Sequence, residues 1–319
     1  MTDRTGRPGP GPAPIILAGA TGGLGGRIAR DLARRGASVT ALVRLGTAPH
    51  RIPALDADGV RVVALDLDDV GAVTAACTGP GGAGPPCVVS ALNGLEATML
   101  GTQGVLLRAA VAAGAARFIP SDFALDFTRT APGRNRNLDL RHRFHAALER
   151  APLRATSILN GAFADMLTGQ MPLILFPLRR VIHWGEADQP LDFTAMDDVA
   201  AFTAAAALDP TTPRFLRVAG AQASPRDLAA LASAATGRRF RTLRLGDPRR
   251  LDGLIRIARF VAPGHGQVFP PWQGLQYLRD MFEGRGRLSP LDNDRYPDLR
   301  WTSLGTVLAR GRAGPRGGG

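Results

Sequence analysis

Short apolar runs alternate along the chain with longer stretches in which apolar residues recur about every fourth position. Ile15 to Ala18 is an unbroken apolar run, as a strand buried on both faces shows. Leu24, Ile28 and Leu32 then repeat at helical spacing, with Arg27, Arg30 and Arg34 between them, so an amphipathic helix follows. Gly36 stands where that helix should stop. Further strands are predicted at 38–43, 59–65, 87–92 and 117–120. A helix is predicted over 97–113, stopped by Gly114, and another over 137–150. Strand-like runs at 155–159, 191–194 and 215–218 follow. A helix is expected over 197–208, and Ser224-Pro225 opens another with an N-cap and a proline at its first position. Strand–helix alternation of this kind predicts an α/β fold with a parallel sheet covered on both faces, and ligands beyond the carboxyl ends of its strands.

The turn between the first strand and first helix carries the chemistry. Gly19, Thr21, Gly22, Gly23, Leu24 and Gly25 follow a buried strand and open a helix. Glycines there let the backbone approach a pyrophosphate, and helix N–H groups point at it. Glycine spacings arise by chance in a chain with 39 glycines, so the strand–turn–helix–strand context carries the assignment. The second strand ends on Arg44, where a dinucleotide site that prefers NAD has an acid for the ribose 2′-hydroxyl. A guanidinium suits a 2′-phosphate instead, so NADP(H) is the expected cofactor, with His50 and Arg51 near enough to assist. The plainer reading of Arg44 is a solvated strand end. Asp66 and Leu67 end the third strand, where an acid reaches an adenine. Asp68 and Asp69 suit the N-terminus of the next helix. Ser90, Ala91 and Leu92 leave the fourth strand where a ligand would lie, and Ser121 and Phe123 follow the fifth. The expected organisation is a tail over 1–14, a Rossmann-type nucleotide domain over 15–160 whose sheet the later strands join, a smaller C-terminal substrate lobe over 161–310, and a tail over 311–319. Both tails are expected to be disordered.

Composition narrows this picture. Hydrophobic residues make up 45% and charged residues 21%, which are globular values. No apolar run is long enough to span a membrane, and the first residues lack the apolar core of a signal peptide. Two cysteines, Cys77 and Cys87, make no disulfide framework, so a reducing cytoplasm is expected. The net charge of +12 raises the question of nucleic acid. All 39 basic residues are arginine, however, and they are spread along the whole chain with only 6% aromatics. That pattern fits coding bias better than phosphate binding, and no nucleic-acid partner is expected. The histidines and cysteines show no metal-binding spacing, and no Gly-x-Ser-x-Gly hydrolase turn occurs.

Gly19-Ala20-Thr21-Gly22-Gly23-Leu24-Gly25, Leu42-Val43-Arg44, Arg117-Phe118-Ile119-Pro120-Ser121-Asp122-Phe123 and Asp197-Asp198-Val199-Ala200 together resemble the NmrA-like and isoflavone-reductase-like atypical short-chain dehydrogenases. The resemblance implies NADPH-dependent reduction of aromatic compounds in secondary metabolism, or an NADP-binding regulator without hydride transfer. It leaves room for a homodimer. Reductases of this family carry a catalytic lysine on the helix after the fifth strand, and the matching position here is Arg141. A chain without lysine cannot use lysine acid–base chemistry. Arg141 could hold a developing oxyanion, yet it is a poor proton donor, which leaves His145, one turn on, or His142 to supply a proton. Each of these side chains also reads as plain helix-surface polarity. That chemistry suits a quinone-like or enone substrate better than a simple ketone. Asn160, Phe163 and His265 are candidates for the substrate side, with turn, core and loop roles as the plainer readings. His183 and Trp184 read as core.

Overall fold

The computed structural model describes residues 13–78 and 84–312. The expected tails over 1–14 and 311–319 lie outside these residues, except at 13–14 and 311–312. The last two belong to a helix and not to a tail. The helices are α1 (Gly23–Arg34), α2 (Pro53–Ala57), α3 (Val70–Thr78), α4 (Gln103–Ala112), α5 (Arg136–Leu148), α6 (Met196–Leu208), α7 (Pro225–Thr236), α8 (Arg250–Val261), α9 (Pro271–Phe282) and α10 (Leu304–Arg312).

Two compact units share the chain. The first comprises 1–122, 143–158 and 200–216, and the second 123–142, 159–199 and 217–319. The chain passes between the two units several times, as the return of later segments to the first unit requires, and the second unit is no smaller than the first.

The first unit holds a six-stranded sheet in the order β3-β2-β1-β4-β5-β6: β1 (Ile15–Ala18), β2 (Val39–Arg44), β3 (Arg61–Leu65), β4 (Cys87–Ser90), β5 (Arg117–Ile119) and β6 (Arg154–Ala155). Every pairing in it is parallel. β1 lies between β2 and β4, Ile15 being opposite both Val39 and Cys87, so the winding reverses beside β1. Such a reversal opens a crevice at the carboxyl ends of the strands. β1 and β4 are buried along their whole length, which accounts for their unbroken apolar runs. The core of this unit packs Ile16, Leu42, Val88, Leu106, Phe118 and Phe144. Cys77 and Cys87 are reduced and buried.

The second unit has its own core around Leu167, Val181, Phe193, Leu228, Leu278 and Leu308. Two small sheets build it. One has the order β14-β10-β9, from β9 (Ile174–Leu175), β10 (Arg180–Trp184) and β14 (Arg241–Gly246). The other has the order β13-β11-β8, from β8 (Ala162–Phe163), β11 (Leu191–Thr194) and β13 (Ala221–Ala223). His183 and Trp184 are buried on β10, as expected.

Several elements differ from the sequence expectation. The run at 191–194 does not extend the large sheet. Within β11, Asp192 accepts hydrogen bonds from Gln222 Nε2 and the Leu288 N–H, partners that belong to the second unit. The run at 215–218 becomes β12 (Phe215–Arg217), which pairs with β7 (Ser157–Leu159) in a two-stranded ribbon. Alternation predicts a strand but does not say which neighbour it takes. The single strand expected at 155–159 is split at Thr156, whose hydroxyl pairs with that of Thr212. The third strand begins at Arg61 because Gly59 turns the chain with a φ of +76°. The helix expected over 97–113 starts as a π-helical segment, Ala97–Thr102, before α4. A strand, β14, also runs through the arginine-rich stretch after Arg238. α7 opens on the expected cap. Ser224 and Asp227 exchange side-chain-to-backbone hydrogen bonds, and Gly237 closes the helix in the left-handed region. Among the described residues no helix is long and apolar enough to cross a membrane.

Candidate functional site

The nucleotide end of the first unit is shaped by close backbone contacts. Gly19 has a φ of +89°, and a Cβ there would lie 2.6 Å from the Ala91 carbonyl oxygen. Gly25 is tighter still, since its Cβ would stand 2.1 Å from the Gly19 carbonyl oxygen. The Gly22 N–H donates to Gly19 O at 3.0 Å, which closes the turn. Gly22 and Gly23 are exposed at the start of α1, and no side chain caps that helix. The helix therefore presents N–H groups and the positive end of its dipole to whatever lies before it. Thr21 and Leu24 are half-buried on either side of this opening. Such a cradle fits a pyrophosphate and rejects side chains on its own backbone.

The flanking candidates surround this end. Arg44 ends β2 with its side chain exposed, and its guanidinium makes no hydrogen bond or ion pair among the described residues. His50 and Arg51 are exposed on a short 3-10 turn. Asp66 is exposed and spends Oδ1 on the Asp68 N–H, while Leu67 is buried. Asp69 Oδ1 accepts from the Gly71 and Ala72 N–H groups as the cap of α3. Ser90 is fully buried at the end of β4, and its Oγ has no hydrogen-bond partner. Ala91 is tied to β1 through its N–H to Ala18 O, and Leu92 O accepts from Ser121 Oγ. The Ser121 N–H donates to Gln103 Oε1. A buried hydroxyl without a partner is an exception in folded proteins and calls for a ligand or a water. The cradle, Arg44 and the Ser90 hydroxyl together fit a phosphorylated dinucleotide.

His145 belongs to a separate network in this unit. Its Nε2 lies 2.6 Å from Asp122 Oδ2, which also accepts from Ser157 Oγ at 2.6 Å. Its Nδ1 lies 3.1 Å from Arg214 Nη2, and Arg214 in turn pairs with Glu149. A guanidinium can only donate, so Nδ1 must accept. The proton then sits on Nε2, facing the Asp122 carboxylate. Its ring N–H is thus directed at Asp122. In this arrangement His145 ties α5 to Asp122 and to the 157–214 strand pair.

Other candidates lie in the second unit. Phe123 is buried. Arg141, on the N-terminal half of α5, is half-buried. Its Nη1 donates to the Asn137 carbonyl oxygen at 2.8 Å, and its Nε is buried without a partner. His142 sets its ring edge-on to Phe127 at 5.2 Å, with Nε2 also buried and unpartnered. Asn160 is fully buried, and its Oδ1 has no partner. Its backbone is fixed by Ala124 and by the Thr194 hydroxyl. Phe163 is half-buried on β8, and His265 is exposed between Gly264 and Gly266. No group of three or more histidine, cysteine or acidic residues suited to a metal is present among the described residues.

The structure adds residues that the sequence reading passed over. On α9, Gln276 Oε1 accepts from the Arg136 N–H, and Tyr277 beside it sets its ring 6.3 Å from Phe269. Gln103 anchors the 121 loop, and Asp122, Ser157 and Arg214 hold His145. Their signals were ordinary: a late tyrosine on an amphipathic helix, and polar residues dispersed along the chain.

A parallel sheet reversed beside β1, with a glycine cradle and an uncapped helix at that point, defines a Rossmann-type dinucleotide-binding architecture. The chain belongs to the NmrA-like family, whose family model matches residues 13–256. It is 28% identical over 316 residues to the isoflavone reductase homolog IRL of Zea mays, covering 93% of this chain and 97% of the relative. It is 28% identical over 213 residues to pinoresinol reductase 1 of Arabidopsis thaliana, covering 62% and 65%. Among solved structures, AtPrR2 with NADP+ and (+)-pinoresinol superposes with a TM-score of 0.78 at 19% identity, covering 94% of this chain and 98% of that one. The leucoanthocyanidin reductase–NADPH complex from Vitis vinifera gives a TM-score of 0.78 at 18% identity, covering 94% and 100%. These solved structures share the fold of this chain.

Proposed function

We propose that this protein is an NADPH-dependent reductase of a small aromatic, quinone-like or enone substrate. Arg141 carries this reading. Its guanidinium is half-buried with an orphaned Nε, and the family resemblance matches it to the position of the catalytic lysine. A buried, unpaired N–H is costly unless something else accepts from it, and a developing oxyanion is such an acceptor. The glycine cradle and the N-terminus of α1 would hold the pyrophosphate, Arg44 the 2′-phosphate, and Asp66 and Ser90 the remaining polar edges of the nucleotide. When bound, NADPH supplies the hydride. Asn160, with its own unpartnered buried Oδ1, and Phe163 would orient the substrate. The names of the relatives, reductases of aromatic plant compounds, support the same substrate class.

Arg141→Ala is the test. Loss of one oxyanion-holding donor should lower turnover about 10²–10³-fold, with NADPH binding by fluorescence titration unchanged. Equal turnover in the two proteins removes Arg141 from the chemistry. No NADPH oxidation by the wild-type protein across quinones, enones and ketones favours the NADP-binding regulator that the missing lysine also allows.

A further inference from the structure

Helix α8 of the second unit carries apolar residues on two faces. Leu251 and Ile255 are buried in the core of that unit. Asp252, the only acid on the helix, is engaged by Arg279 Nη1 at 2.7 Å and by Arg134 Nη2 at 3.7 Å. Arg259 lays its guanidinium over the Trp272 ring of α9, 4.4 Å from the ring centroid. These contacts fix the helix against its own unit and leave Leu254, Ile257 and Val261 outside. Steps of three and four residues align those three in one stripe, with Phe260 beside it. Phe260 is 88% exposed, Val261 73%, Ile257 62% and Leu254 43%. Apolar residues exposed singly need no explanation, but a contiguous patch marks a contact surface.

We propose that α8 docks on an anionic lipid surface. Ile257, Phe260 and Val261 enter the boundary between headgroups and acyl chains, and arginines meet the lipid phosphates. Arg249 and Arg256, two helical turns apart, border the stripe on the Phe260 side, and Arg250 stands at its N-terminal end. All three are exposed, and their guanidinium groups make no ion pair among the described residues. Coding bias accounts for arginines anywhere on the surface. It does not account for four large apolar side chains exposed on one helix. An apolar stripe bordered by basic residues is the pattern of helices that lie in a membrane interface. A guanidinium on a long stem reaches a phosphate while the stem covers apolar surface. A second copy of the chain would set the same arginines against one another. A protein partner would meet side-chain donors alone, because Asp252 is engaged, whereas protein interfaces pair donors with acceptors in both directions. A lipid phosphate offers the acceptors that these donors lack. The docking is independent of any hydride chemistry and needs no membrane-spanning segment.

Co-sedimentation of the full chain with lipid vesicles tests this. Vesicles of phosphatidylglycerol and phosphatidylcholine in equal parts should carry the protein down. Binding to pure phosphatidylcholine should be about tenfold or more weaker, and added salt should release the protein from the mixed vesicles. Ile257→Ser with Phe260→Ser should weaken binding to the mixed vesicles about tenfold or more, through lost apolar burial. Arg249→Ala with Arg256→Ala should do so by about the same factor. Melting temperature and NADPH binding should be unchanged in both double variants. Equal binding to the two kinds of vesicle overturns the proposal. So does equal binding by wild type and the Ile257→Ser/Phe260→Ser variant, because another surface then meets the lipid. A wild type that stays in the supernatant with both vesicles overturns it as well, and sedimentation equilibrium then reads the occupant. A dimer that the Ile257→Ser/Phe260→Ser pair dissociates assigns the stripe to a second copy, and a monomer assigns it to a different protein.

Discussion

The nucleotide end of the first unit and the Arg141 cluster of the second are built by opposite means. The first is made largely of backbone: a glycine turn and an uncapped helix within a few residues of one another in the chain, flanked by the ends of neighbouring strands. The second is made of side chains carried by α5 and α9, elements far apart in sequence. A backbone site tolerates no added atoms but little depends on which polar residues surround it. A side-chain site depends on each functional group and is forgiving of its backbone. Substitutions should therefore fail in different ways at the two ends.

The largest effect is expected at Gly25. A Cβ 2.1 Å from the Gly19 carbonyl cannot be accommodated without moving the turn. Overpacking of this kind costs about 1–3 kcal/mol or more, and the displaced turn loses the pyrophosphate geometry as well. Gly25→Val should abolish measurable NADPH binding by fluorescence titration, with a lowered melting temperature. Near-normal affinity would show that the turn does not hold the pyrophosphate. Arg141→Ala, by contrast, should leave binding intact and remove turnover, so the pair of variants separates holding the nucleotide from using it.

Arg44 tests the same end with a smaller change. A hydrogen bond to a charged group is worth about 1.5–3 kcal/mol, so Arg44→Ala should weaken NADPH binding about 10–100-fold. NADH affinity should change little, because NADH has no 2′-phosphate for the guanidinium to meet. Equal loss for both nucleotides would make Arg44 a general electrostatic contributor and not a selector.

These differences follow how each site could be read from sequence. The strand–glycine–helix unit was legible because its parts are adjacent and each glycine has a steric reason. Arg44 was legible because the end of β2 has a fixed relation to that turn. The parallel sheet of the first unit followed from βα alternation, but its strand order did not. The small sheets did not, because β11 and β13 are short and alternation is silent about partners. The Arg141 site was half visible. Arg141 could be placed through the family resemblance, while its bond to the Asn137 carbonyl and its orphaned Nε came into view only in the structure. At His145 helical spacing showed only that it lies one turn from Arg141; its neighbours Asp122, Ser157 and Arg214 come from three other segments, and Asp122 and Arg214 meet its two ring nitrogens.

The smallest effect, and the one that most sharpens the division between the two ends, is expected at His145. If it is a tie, His145→Ala removes hydrogen bonds to Asp122 and Arg214 and leaves a buried acceptor less well satisfied, a loss of about 1–2 kcal/mol. Urea denaturation should register that as a lower midpoint with an unchanged slope. Turnover per folded molecule should stay near wild type below the unfolding transition, because Arg141 directs its Nη1 at the Asn137 carbonyl and His145 its ring at Asp122. If turnover instead falls a hundredfold with the denaturation midpoint unmoved, His145 gives up a proton during reduction. The Nε2–Asp122 contact would then have to open in each cycle. That outcome would shift proton handling into the nucleotide-binding unit and end the contrast between an end built of backbone and one built of side chains.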